Sequence, residues 1–271
     1  ASAAGLVLLG ILPEKTAAPY VGIAVAVIMY AVGGGLIEVF ISPIVEGAPT
    51  EGKSGAMSLL HSFYCWGSVL VVLFSTVLFR LFGIGAWRKI AVFWAVIPAL
   101  NALFFMLVPI NPPVERKESM SISQLLRNKM FWILAVLMLC AGASEQAMSQ
   151  WASTFAESGL HVSKALGDLL GPCFFAALMG GARVVHAKVS ERVNLYKYLG
   201  GCAALCIVSY FLAAFSPGAA LPLLGCGLCG VSVGAMWPGT FSLASERCPK
   251  GGTAMFGLLA LAGDLGCYPL D

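Results

Sequence analysis

Residues 90 to 110, IAVFWAVIPALNALFFMLVPI, contain no charged side chain, and residues 17 to 45 contain one, Glu38. Runs of this length fit the roughly 20 residues of helix that a bilayer core requires. Inside lipid every backbone N–H and C=O must be satisfied internally, which leaves helices or a closed barrel. A barrel shows short alternating segments, and those are absent. Composition agrees: 59% of residues are hydrophobic and 11% charged, against about 45–50% and about 25% in soluble domains. The fold class is an all-α, polytopic membrane protein.

Nine apolar segments can be read, near residues 1–12, 17–45, 55–82, 86–109, 130–156, 165–187, 195–215, 219–245 and 253–271. The first is too short before Pro13 to span, and ASAAGLVLLGIL lacks the basic start of a signal peptide. The chain opens on Ala1 and closes on YPLD where a segment should continue, so truncation at both ends is expected. Loops near 46–54, 110–129, 183–197 and 246–252 hold most of the 16 basic residues. Basic loops stay inside, which makes that side cytoplasmic, in particular loops 46–54, 110–129, 188–197 and 246–252. Multi-pass insertion in the plasma membrane, in a bacterium the inner membrane, is expected. The net charge of +3 is thus a topology signal, and no basic run points to nucleic acid.

Two nucleotide-like spellings need context. Gly47 to Ser54 reads G-x-x-x-x-G-K-S, in which Lys53 would reach phosphates and Ser54 hold Mg²⁺. A P-loop follows a strand in a soluble domain; here a span of nearly 30 apolar residues precedes it and Pro49 interrupts it. GCGLCG, residues 225–230, fits G-x-G-x-x-G but lies within an apolar helix, where small residues serve close packing. The nine cysteines are odd in number and sit mostly in apolar segments, so they read as small packing residues. Cys226-x-x-Cys229 has no second pair and no nearby His, which disfavours metal.

Residues 35–57 and 230–255 repeat a pattern: glycine-rich helix, proline (Pro43, Pro238), short polar loop, then Ala-Met opening a helix. An even number of spans separates the copies, as in parallel repeats of six-helix halves. The proline-bearing, charged stretch 111–129 then reads as a cytoplasmic central loop. It joins a partial N-terminal bundle, 1–110, to a partial C-terminal bundle, 130–271.

With two such halves on the page, GGARVVHAKVSERV resembles the second-half signature of the major facilitator superfamily. Gly181, Arg183, Lys188, Glu191 and Arg192 stand on its positions, with Ala182 between Gly and Arg. GGGLIEVFISP, SLLHSFYCWGSVL and GASEQAMSQWASTF resemble the fourth, fifth and seventh helices of fucose-permease-like sugar symporters. Ser42 stands where that pattern has Asn, and Cys65 where it commonly has Gly. The resemblance implies a secondary transporter whose fourth and seventh helices border a central cavity, and a charge network latching the inner gate.

An ionisable group inside the bilayer costs about 2.5–3.5 kcal/mol on insertion scales, so each is a functional candidate. Glu38, flanked at helical spacing by Gly34, Gly35, Ile41 and Ser42, can bind and release a proton beside a wet cavity; the alternative is a structural carboxyl. Glu145 shares a polar face with Gln146, Ser149, Gln150 and Ser153, which cannot face lipid. These two acids are the proton-coupling candidates. Substrate-binding candidates are His61 and Tyr64, on a polar stripe with Cys65 and Ser68, together with Asn101, Gln146, Gln150 and Trp151. His61 reads equally as an interhelical structural histidine, and Trp151 as a sugar-stacking ring or an interfacial anchor. Arg183, Lys188 and Arg192, at the cytoplasmic rim, and Asp264, toward the cytoplasmic half of its helix, are gating candidates.

The function expected is alternating-access transport of a small polar solute, a sugar by resemblance, coupled to protons, with Na⁺ as the open alternative. Efflux of drugs or metabolites by the same fold is the nearer rival; an NTP-binding membrane protein is the distant one. An embedded metalloenzyme is disfavoured by the absence of HExxH. No enzyme activity, catalytic residue, cofactor, metal or nucleic acid is expected, and the full-length protein should work as a monomer in the lipid bilayer.

Overall fold

A computed structural model of the chain describes residues 1–108, 110 and 119–268. Among these the fold is all-helical. The long elements are α1 Ser2–Lys15, α2 Pro19–Glu46, α3 Lys53–Phe82 and α4 Ile84–Phe105, then a short α5 Ile122–Arg127. After it come α6 Lys129–Gly159, α7 Leu166–Val189, α8 Leu195–Phe215, α9 Ala220–Arg247 and α10 Gly252–Cys267. Seven of them, α2–α4 and α6–α9, are long and apolar enough to cross a membrane. Exposed large apolar side chains such as Ile28, Phe74, Leu137 and Phe211 suit a lipid solvent rather than water.

Two differences from the sequence reading have local causes. The first helix does not stop before Pro13 but runs through it to Lys15, because a proline near a helix end removes only one hydrogen bond. It is still about 21 Å long, short of a bilayer core. Part of the expected central loop is helical. Ser121 Oγ accepts from Gln124 N while Gln124 Oε1 accepts from Ser121 N, a capping box that starts α5. Leu125 then anchors α5 in the core with Phe131, Met255 and Phe256. Residues 111–118 of that loop, and 269–271 of the chain end, lie outside the described residues.

The chain divides into two compact units, Ala1–Ile41 with Phe74–Asn111, and Ser42–Leu73 with Pro112–Asp271. In the first, α1 packs along α4: Gly10 lies against Val92, and Glu14 pairs with Arg88. Trp94 Nε1 donates to Ser75 Oγ at 3.0 Å.

In the second unit, α6 and α10 approach until a Cβ on Gly142 would stand 2.1 Å from Gly263 O, and one on Gly266 2.0 Å from Leu139 O. Only glycine permits that approach, and without a hydrophobic drive between spans such contacts are a main source of cohesion. The GCGLCG stretch works similarly on α9: Gly225 meets Ser209 O of α8, and Gly227 and Gly230 meet Phe174 and Phe175 of α7. The dinucleotide spelling is helix packing.

The P-loop spelling is a helix-to-helix turn. A 28-residue helix precedes it, and Lys53 Nζ donates to Glu46 O at 2.7 Å, closing the end of α2. Gly52, at φ +68°, is met by the Glu191 carboxylate, which would repel a phosphate. Replacing the half-exposed Lys53 by Ala should change stability by no more than about 0.5 kcal/mol. ATP should leave the thermal midpoint of both proteins unmoved; a shift with ATP that Lys53→Ala abolishes would reinstate the nucleotide reading.

Candidate functional site

The second unit is organised around Arg183 of α7, which is 2% exposed. A buried guanidinium is retained only where its fork of N–H donors finds acceptors. Nε donates to Gly234 O at 2.8 Å. That carbonyl is open because the residue four positions on is Pro238, which has no N–H to close the helical bond. Nη1 donates to His61 O at 2.8 Å and to Cys65 Sγ at 3.2 Å, both on α3. Nη2 donates to Glu145 Oε2 of α6 at 3.1 Å, an ion pair whose carboxylate side chain is 13% exposed. One side chain on α7 therefore holds α3, α6 and α9.

His61 stands at the edge of this cluster. Its Nε2 is 3.3 Å from Ser42 Oγ, and its ring stacks on Phe241 of α9 with centroids 5.8 Å apart. Ser42, where the sugar-symporter pattern has Asn, thus acts as a hydrogen-bond partner of His61. The polar stripe on α3 is divided by packing: Cys65 is fully buried under α7, while Tyr64 is 59% exposed.

The remaining candidates are spread out. Gln146 Nε2 donates to Gln150 Oε1 at 3.1 Å, so the two amides are joined by one hydrogen bond along α6. Trp151 is exposed and lies about 120° around the helix from Glu145. In the first unit Asn101 is exposed on α4. Glu38 is half-buried on α2, and a Cβ at Gly34 or Gly35 would meet nothing within 4 Å. Open space therefore adjoins the glycine flank of that carboxyl.

The gating set needs correction. Arg183 is not at the rim with Lys188 and Arg192; it lies two turns inside α7 and is buried, because its acceptors are in the interior. Lys188 and Arg192 are exposed at the end of α7. Lys188 lines a cleft of about 470 Å³ with Thr50, Glu51, Ser190 and Glu191. Asp264 is exposed twelve residues into α10, about 18 Å from its start. No ion pair ties it to the basic residues among those described.

Sequence reasoning missed His186, one turn beyond Arg183. It is buried, stacks on Tyr198 at 4.7 Å, and finds no hydrogen-bond partner for either ring nitrogen among the described residues. No group of three or more His, Cys, Asp or Glu that could hold a metal occurs among the described residues.

A sequence model of the Major Facilitator Superfamily matches residues 1–268. The chain belongs to the major facilitator superfamily. It is a multi-pass membrane protein with that superfamily's fold. Among solved structures it is similar to the E. coli fucose:proton symporter FucP, in a single-substitution variant, and to FucP in the outward conformation. For each the TM-score is 0.74 and the identity 18%, over 98% of this chain and 72% of the other. At that identity the likeness is one of fold. No curated protein matches by sequence.

Proposed function

We propose that this major facilitator chain carries a small polar solute, a sugar, by alternating access in symport with protons. The observation that carries the proposal is Glu145, an acid in a membrane span held by the buried Arg183 guanidinium. Such a group is expensive unless it is used or paired, and here the pairing can change with its charge. The fold likeness to a fucose:proton symporter supports the solute class and the ion.

Glu38 is the second proton carrier, beside the open flank of Gly34 and Gly35. In the second unit, His61, Tyr64, Gln146 and Gln150 supply hydrogen bonds to a polyhydroxylated ligand, and Trp151 a stacking face. Lys188 and Arg192 act at the cytoplasmic end. The helices before residue 110 and after residue 130 form the two moving halves, and protonation biases which side opens.

Uptake of labelled fucose and other hexoses into vesicles under an inward proton gradient tests this reading. Glu38→Gln should abolish gradient-driven accumulation while solute exchange at equal pH persists. Equal accumulation by both proteins would remove Glu38 from the coupling, and failure of every hexose would remove the sugar.

A further inference from the structure

We propose that Arg183 is a positioning residue that converts the charge state of Glu145 into release of α3 from α7 along residues 55 to 65. The inference rests on the symport reading above and deepens it, by naming the contact that proton binding would break.

The bonds of Arg183 are unequal. Gly234 O is a carbonyl with no competing helical donor, and it anchors Nε to α9. The Glu145 carboxylate supplies the only negative charge among the acceptors. The two bonds to α3 share one nitrogen: that to Cys65 is weak, because a cysteine sulfur is a poor acceptor, and that to His61 O, though 2.8 Å long, goes to a neutral carbonyl that the Cys65 thiol also reaches at 3.7 Å.

When Glu145 takes up a proton, the charge-assisted bond is lost and a buried cation is left without its counter-charge. The guanidinium must then seek other acceptors or water. The bonds it gives up at least cost are those to α3.

What else holds α3 to α7 is slight and smooth. Ser58 Oγ donates to Arg183 O at 2.9 Å. Gly55 lies against Ala187 O, and Gly180 against the Cys65 Cβ. The Trp66 ring also borders Gly180, so one large side chain must shift as this otherwise small-residue seam parts and closes. The other titratable groups around the pair are His61, Tyr64 and Cys65 of α3 and Cys267 of α10. Among these, a second proton on His61 would add a cation beside Arg183, so His61 has to be separated in the test.

Cys65 is the natural reporter, since it is fully buried beneath α7 and becomes reactive only if the seam opens. The purified chain in proteoliposomes is treated with N-ethylmaleimide, and alkylation of Cys65 is followed by peptide mass spectrometry. At about pH 8 Glu145→Gln should label about tenfold faster than the unsubstituted protein, since one charge-assisted bond is lost. Glu145→Asp should stay protected. As the pH is lowered and carboxyls take up protons, the ratio of the two rates should fall toward one; Glu145→Gln carries the same thiol, so titration of Cys65 cancels in the ratio. The same convergence should persist in a His61→Gln background. Arg183→Lys keeps the charge but loses the fork, and should label fast at every pH.

Equal protection of Cys65 in Glu145→Gln and the unsubstituted protein would overturn the proposal. So would a ratio that does not change with pH, convergence that vanishes with His61→Gln, or protection retained in Arg183→Lys. The labelling needs no solute, so it fails independently of transport. Convergence without any sugar uptake sinks the substrate alone; proton-driven uptake with a pH-invariant ratio sinks the seam alone.

Discussion

Replacing Arg183 by Met should destabilise the detergent-purified chain by about 3–5 kcal/mol, because it strands the Glu145 carboxylate in a buried site. The thermal midpoint should fall by roughly 10 °C on the usual relation for domains above 150 residues. The substitution also leaves Gly234 O without a donor, since Pro238 cannot supply one. Pairing Arg183→Met with Glu145→Met removes the stranded charge as well. The double variant should therefore regain much of the loss, a non-additivity expected of groups in direct contact. Additive losses measured by thermal unfolding would mean that the ion pair is not the centre of this unit.

The second large effect is expected at the closest helix approach. A Cβ at Gly142 would stand 2.1 Å from Gly263 O, with Cys267 Sγ at 3.2 Å. Backbone cannot yield as a flexible side chain would, so α6 and α10 must move apart along their contact. Overpacking costs about 1–3 kcal/mol in soluble cores, and more where backbone has to shift. Gly142→Val should therefore prevent accumulation of monodisperse protein, and Gly142→Ala should lower the midpoint by several degrees. Gly181→Ala is the control: a Cβ there meets nothing within 4 Å, and its midpoint should match the unsubstituted protein. A stable Gly142→Val would show that the two helices do not rely on this contact.

The character of the site was legible only in part. Glu145 stood out because an acid in a span is rare and its helix face is too polar for lipid. Its partner was misplaced, because Arg183 lies near the end of an apolar run, close in sequence to the exposed Lys188 and Arg192. Position along a helix does not reveal which way a side chain turns or whether acceptors await it. Pro238 was read as part of a repeated helix–loop pattern, while its consequence, an open carbonyl at Gly234, appears only when another helix brings a donor. The stripe His61, Tyr64, Cys65 and Ser68 was correctly placed on one helix, yet packing under α7 buries Cys65 and leaves Tyr64 outside.

Membrane insertion, the helical class and the positions of the spans followed from the sequence by itself. Long uncharged runs have few physical solutions in water or lipid, and loop charges orient them. The superfamily resemblance followed likewise from local motifs. Tertiary structure alone decided that α6 and α10 meet through glycine, that Ser42 faces His61, and that one arginine joins four helices. Each of these depends on separate helices coming into contact, which no local pattern specifies: steric fit between backbones for the glycines, and donor–acceptor distances near about 3 Å for the hydrogen bonds.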